Sequence, residues 1–268
     1  MELIKEALKK AKASGLVDLR DLPSRTTSTS SAIAPIWVPP RVVLDPKHLE
    51  GQRIVSYGMT DPSHVAFNLL RTKIYKAMRA NGWKTLAVLS PTAGCGKTTV
   101  SLNLAFSMSR QASCRVVVMD LDLKKSSMAK TLGVKPKSSI GAYLEGKAEA
   151  EGCFIQVTDN LFIGINADPI KYSSEHLQEG RLEDLLNAVR DFLRPDVLLF
   201  DLPPMLSSDD AIAFLPRVDC SLLVVAAGMS TAIEIDECER QASAAGNYLG
   251  VVLNKCPHGT TGYYQYGY

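Results

Sequence analysis

The densest chemistry in the chain lies at residues 90–99, SPTAGCGKTT, between an apolar run at 85–89 and a segment of helical spacing from 97 to 110. A glycine-rich turn that opens a helix presents backbone N–H groups to phosphate oxygens. Gly94 and Gly96 let the backbone approach without a Cβ in the way. Lys97 supplies a point charge to the β and γ phosphates, and the Thr98 hydroxyl is placed for Mg²⁺. Ala93, Gly94, Cys95, Gly96, Lys97, Thr98 and Thr99 are therefore expected to bind a nucleoside triphosphate, read as Mg·ATP. Pro91 stands where the pattern G-x-x-x-x-G-K-[ST] has its first glycine.

Two further apolar runs end on carboxylates. Residues 115–122, RVVVMDLD, put Asp120 and Asp122 at i and i+2, and residues 197–204, VLLFDLPP, do the same for Asp201. Carboxylates at strand ends beside a phosphate loop can handle a metal or take the proton of an acceptor hydroxyl. Asp201 reads as the Walker B carboxylate that holds Mg²⁺ or its waters. Without the loop, each aspartate would read as a turn residue after a strand.

The elements that position these residues alternate strand and helix. Strands are expected at 85–89, 115–119, 161–165, 197–200, 221–225 and 251–253, with helices at 97–110, 182–193 and 234–245. Several strands are unbroken apolar runs, the mark of strands covered on both faces. The fold class is therefore α/β, a P-loop NTPase with a mostly parallel sheet and helices on both faces. In such sheets ligands sit at the carboxyl ends of the strands.

Around this core, residues 1–20 hold a short amphipathic helix, whose apolar face calls for something to pack on. Residues 21–60 read as a largely disordered linker, rich in Ser, Thr and Pro as far as about Pro40 and ambiguous from there to Thr60. The P-loop domain is expected over 61–257, opening on a helix that begins near Asp61 and Pro62 and stops at Asn81 and Gly82. Residues 258–268 read as a flexible tail carrying Tyr263, Tyr264, Tyr266 and Tyr268.

Bulk properties narrow the class. A chain of 268 residues that is 46% apolar and 22% charged is globular, and a net charge of +2 calls for no nucleic acid partner. Six scattered cysteines without a C-x-x-C pair indicate reduced thiols and a cytoplasmic protein. No window offers the uncharged apolar length of a membrane span, so any membrane association would run through a partner.

The loop, the D-x-D strand end, the D-x-P-P strand end and the tyrosine tail stand in the order found in the bacterial tyrosine kinases of capsule and exopolysaccharide synthesis, which residues 61–268 resemble. Residues 250–255, GVVLNK, are similar to that family's later strand. The resemblance implies an ATP-dependent protein-tyrosine autokinase in which Lys97 and Thr98 bind phosphates and Asp120 helps activate the incoming tyrosine hydroxyl. Asp122 and Asp201, with Thr98, would organise Mg²⁺, Asn254 would read the adenine edge, and Tyr263, Tyr264, Tyr266 and Tyr268 would be phosphoacceptors.

The resemblance also implies a membrane polysaccharide co-polymerase as a separate activating chain, and a homo-oligomer. Thr92 replaces the lysine that partitioning-type ATPases carry near the start of the loop. Lys124 replaces an arginine. The family's subunit-contact helix E-x-x-R-x-x-R reads Val65, Asn68, Arg71 here. Two other functions stay open on the sequence: a partitioning or positioning ATPase, and a nucleotide-gated regulator without phosphoryl transfer.

Overall fold

A computed structural model describes residues 37–257. Its helices are α1 (Pro46–Gly51), α2 (Val55–Gly58), α3 (His64–Asn81), α4 (Lys97–Ser109), α5 (Met128–Leu132), α6 (Ile140–Leu144), α7 (Ser173–His176), α8 (Gly180–Ala188), α9 (Asp210–Phe214) and α10 (Ala232–Ala245). The strands are β1 (Thr85–Leu89), β2 (Val116–Asp120), β3 (Phe154–Thr158), β4 (Leu161–Gly164), β5 (Val197–Asp201), β6 (Cys220–Ala226) and β7 (Asn247–Asn254). They form one sheet in the order β3-β4-β2-β5-β1-β6-β7. Every neighbouring pair is parallel except β3 with β4.

The expected α/β sheet is thus present, with one strand more than the apolar runs announce. β3 reads FIQVT, whose polar Gln156 and Thr158 interrupt the apolar run that marks the central strands. It is an antiparallel edge strand joined to β4 by a tight turn, so it needs no crossover helix. The central strands β2, β5 and β6 are buried along their whole length. Alternate residues feed two cores: Ala87, Val117, Met119 and Phe200 pack on one face with Phe214, and Leu86, Val116 and Val118 pack on the other with Leu102 and Phe106.

α4 runs through the second core, and every residue from Val100 to Ser109 is buried. Its polar residues are satisfied there. Asn103 donates to the carbonyls of Arg53 and Thr99, both at 2.9 Å, and accepts from the Ser56 N–H at 2.8 Å. A buried amide left unpaired would cost about 1–3 kcal/mol, so this side chain fixes how the 53–56 segment lies on the helix.

That segment corrects the expected linker. Residues 37–60 belong to the packed domain: Trp37, Leu44, Leu49, Ile54 and Val55 are buried. Trp37 stands edge-on to Phe154 and Phe192, with centroids 5.0 and 6.0 Å away. The Pro40 carbonyl accepts from the Gln156 N–H, and the Val42 N–H donates to the Gln156 carbonyl, both at 2.9 Å. Prolines exclude helix here, but an extended chain can still lie along a sheet edge, and apolar anchors at irregular spacing give no periodic signal.

The helix expected from Asp61 begins at His64, because Asp61 Oδ1 accepts from the Ser63 N–H at 2.8 Å and makes a turn of the preceding residues. It ends where expected, on Gly82 in the left-handed region at φ 70°. The expected N-terminal helix, the linker as far as residue 36 and the tyrosine tail lie outside the described residues. No helix among the described residues is long and apolar enough to cross a membrane.

Candidate active site

The loop between β1 and α4, the end of β2 and the end of β5 meet at the carboxyl edge of the sheet. Asp120 and Asp201 are register partners on adjacent strands, so the parallel pairing itself brings the two carboxylates side by side. Gly94 and Gly96 lie at φ 86° and 88°, a region that L side chains rarely adopt. A Cβ on Gly96 would come 2.2 Å from Asn254 Nδ2. Glycine here is required both by the backbone and by the close approach of the end of β7.

Lys97 is buried, with Nζ 2.8 Å from Asp201 Oδ1 and 4.0 Å from Asp122 Oδ2. The Thr98 hydroxyl donates to Asp201 Oδ2 at 2.6 Å, and the Ser101 hydroxyl donates to Oδ1 at 3.4 Å. Burial pulls the lysine down, but Asp201 first, then Asp122 and Asp120, outweigh it and hold its pKa above the ordinary value. The ammonium is therefore a fixed positive charge among three carboxylates.

Asp120 has no exposed surface. Burial first, and the neighbouring Asp201 next, push its carboxyl up to about 8, against the opposing pull of Ser126 and Lys97. Its Oδ1 accepts from the Asp122 N–H at 3.2 Å and its Oδ2 meets the Ser126 hydroxyl, which also reaches the Asn166 carbonyl at 2.7 Å. Asp122 is shifted up as well, by burial, with Lys97 pulling the other way, and its side chain keeps 13% of its surface. A carboxyl that binds a proton near neutrality is suited to take one from a hydroxyl. Asp120 is fully buried, with Ser126 against its Oδ2.

Two serines that the sequence does not single out stand beside these carboxylates. Besides Ser126, Ser127 donates to Thr98 Oγ1 at 3.2 Å, which ties the segment after β2 to the phosphate loop. The signal was the pair Ser126 and Ser127 directly after Asp120, Asp122 and Lys124, which reads as a cap for α5. A second missed cluster surrounds Asp210, which is fully buried. It takes Lys124 Nζ at 3.0 Å on Oδ1 and the Ser173 hydroxyl at 2.6 Å on Oδ2, while Lys124 also donates to Ser208 at 2.9 Å. Burial pushes this carboxyl up, but its bonds to Ser173, Lys124 and Ser208 outweigh that and hold it below the usual range. Three loops, those following β2, β4 and β5, are pinned together beside the site.

Asn254 is placed against the loop, where its Nδ2 donates to the Cys95 carbonyl at 2.9 Å. It braces the phosphate loop and leaves its second Nδ2 hydrogen and Oδ1 to meet a base. The Cys95 thiol turns inward to 3.6 Å from Ser230 Oγ, while Ala93 and Gly94 are exposed at the mouth. Thr99 lies in the first turn of α4, and its carbonyl accepts from Asn103 Nδ2 at 2.9 Å. All six cysteines are free, and five are buried.

The donor set suits Mg²⁺. Among the described residues, no group of three His, Cys, Asp or Glu side chains is arranged to hold a metal alone. Thr98, Asp122 and Asp201 offer hard oxygens at one side of the loop, the kind of partial set that Mg²⁺ completes with phosphate oxygens and water.

Residues 83–259 match the protein family described as ParA: NUBPL iron-transfer P-loop NTPase. The tyrosine-protein kinase CpsD of Streptococcus pneumoniae serotype 4 is 29% identical over 192 residues, covering 70% of this chain and 82% of that protein. The tyrosine-protein kinase etk of Escherichia coli is 30% identical over 196 residues, 72% of this chain and 27% of that one. The chain thus spans about a quarter of that relative's length. The solved kinase domain of Escherichia coli tyrosine kinase ETK matches with a TM-score of 0.69 at 28% identity, over 80% of this chain and 85% of that domain.

Proposed function

The chain belongs to the ParA-type P-loop NTPases and, within them, to the bacterial tyrosine kinases, and from that premise we propose that it transfers the γ-phosphoryl group of ATP to tyrosine hydroxyls, its own tail among them. The tyrosine oxygen forms a bond to the γ-phosphorus, the bond from that phosphorus to the β–γ bridging oxygen breaks, ADP leaves, and the hydroxyl proton passes to a carboxylate of the site. The observation that carries this reading is the side-by-side pair Asp120 and Asp201 behind a buried Lys97. It supplies a proton acceptor tuned near neutrality and a fixed cation within one phosphate site.

In this reading the loop N–H groups and Lys97 bind and orient the triphosphate. Thr98, Asp122 and Asp201 would hold Mg²⁺, which when bound neutralises charge on the phosphates. Asp120 takes the acceptor proton, and Asn254 keeps the loop in its binding shape. Tyr263, Tyr264, Tyr266 and Tyr268 are the proposed acceptors, four hydroxyls within the last residues of the sequence. The names of the relatives support protein-tyrosine kinase activity; the proposed setting, exopolysaccharide or capsule production at the cytoplasmic face of a membrane, follows from the resemblance of residues 61–268 to the kinases of that synthesis. A membrane polysaccharide co-polymerase on a separate chain is the proposed activator.

The test is incubation of the purified chain with Mg·ATP followed by detection of phosphotyrosine, with Lys97→Met and a truncation after Gly259 as controls. Signal in the wild type that is lost in Lys97→Met and reduced by the truncation supports the proposal. Phosphotyrosine that persists in Lys97→Met overturns the assigned site. Phosphate release without any phosphotyrosine favours the partitioning-type ATPase instead.

A further inference from the structure

Between Asp61 and Asp120 the sequence contains no acidic residue, yet it carries Arg71, Lys73, Lys76, Arg79, Lys84, Lys97, Arg110 and Arg115. Four of these cations converge. The outer face of α3 and the end of α4 border an open cavity of about 550 Å³ lined by Arg71, Thr72, Tyr75, Lys76, Arg79 and Arg110, with Gln111 beside them. Among the described residues none of the four makes an ion pair. The cavity stands at the far end of α4 from the phosphate loop, about 20 Å away by the rise of a helix of this length.

The two inner guanidiniums are held in place by main chain and, for Arg110, by the Met59 sulfur as well, not by counter-charges. Arg71 donates to the Ser107 carbonyl at 3.2 Å. Arg110 donates to the carbonyls of Ser56 and Tyr57 at 2.9 and 3.2 Å. Each keeps N–H groups that these bonds do not use. Arg79 lies over the Tyr75 ring, 5.8 Å from its centroid. Burial first, and then the neighbouring Arg71, pull the Arg110 pKa down, so the crowding of like charge is felt. An ordinary solvated face intersperses both signs and lets its long side chains splay apart. Backbone anchors prevent that for Arg71 and Arg110 and leave a positive cradle without a built-in anion.

We propose that this cavity is a second anion site, distinct from the phosphate loop, and that it takes a phosphate monoester dianion. Guanidinium forks match the paired oxygens of such a group, and the Tyr75 ring gives a flat wall beside it. Nucleic acid would call for a basic track longer than one pocket, and the cavity lining has no exposed apolar residue to enter a membrane.

The test is calorimetric titration of the full chain with O-phosphotyrosine, inorganic phosphate and tyrosine. The wild type is compared with Lys76→Gln/Arg79→Gln, two exposed positions whose replacement leaves the core intact. Saturable binding of the phosphate probes but not of tyrosine, weakened at least tenfold in the double variant while Mg·ADP affinity is unchanged, is the expected result. Tighter binding of phosphotyrosine than of inorganic phosphate identifies a phosphorylated protein as the source, and equal binding identifies the free ion. Equal phosphotyrosine affinity in wild type and double variant, or no saturable binding in either, overturns the proposal.

Discussion

Asp120→Asn should make the protein more stable as it makes it inactive, and the gain should depend on pH in a defined way. In the folded chain the Asp120 carboxyl is pushed up to about 8, whereas an unfolded aspartate titrates near 3.8. Below the unfolded value both states hold the proton and the residue is neutral in its effect. As pH rises from there towards 8, the unfolded chain releases the proton while the folded chain retains it, so the folded state loses ground by up to about 1.4 kcal/mol per pH unit.

Asparagine keeps the shape and carries no proton equilibrium. Its amide can donate to Ser126, which then turns its own proton to the Asn166 carbonyl, 2.7 Å away. The difference in unfolding free energy between variant and wild type should therefore widen by about 2–3 kcal/mol from pH 5 to pH 7. Urea unfolding at pH 5, 6 and 7, without nucleotide or Mg²⁺, measures it. Parallel stabilities across the three pH values would show that Asp120 is ionised throughout and refute the reasoning.

Lys97→Met leaves the buried Asp201 without its cation and should destabilise the fold by about 3–5 kcal/mol in urea titrations. Adding Asp201→Asn should recover part of that stability without restoring phosphotyrosine. Gly96→Ala forces an L side chain into the left-handed region, at about 1–2 kcal/mol, and drives Asn254 off the Cys95 carbonyl, at about 1 kcal/mol more. In a double-mutant cycle with Asn254→Ala the second loss should be counted only once, and strict additivity would contradict the contact. Trp37→Ala should cost about 3–5 kcal/mol through the space left between Phe154 and Phe192. A chain starting at residue 37 should unfold cooperatively, whereas one starting at residue 61 should not.

The site was legible where chemistry demands particular residue types in a fixed order. Gly94, Gly96, Lys97 and Thr98 follow an apolar strand, and Asp120 and Asp201 close two others, so the parallel sheet had only to align strand ends to assemble them. The positions that hold this site in shape were not legible, because their partners are distant in sequence. Ser126 bonds to Asn166, Lys124 to Asp210, and Asn254 to Cys95. Ser126 and Lys124 are ordinary loop residues until the fold brings their partners close, and Asn254, expected at the adenine, shows its bond to the phosphate loop only in the fold.

The same limit explains Trp37 to Tyr57, whose anchors fill gaps along β3 and α4 at spacings that match no helix or strand period. The edge strand β3 escaped notice because half its face is polar. The basic cavity was visible in the sequence only as a missing sign of charge between Asp61 and Asp120.

The central claim is that phosphoryl groups leave ATP for tyrosine on this chain. Mass spectrometry of the peptide spanning residues 259–268, before and after incubation with Mg·ATP, measures it directly. The account predicts added phosphoryl groups on Tyr263, Tyr264, Tyr266 or Tyr268 in the wild type and none in Lys97→Met. Conversion of ATP to ADP and free phosphate with every tyrosine unmodified would contradict it.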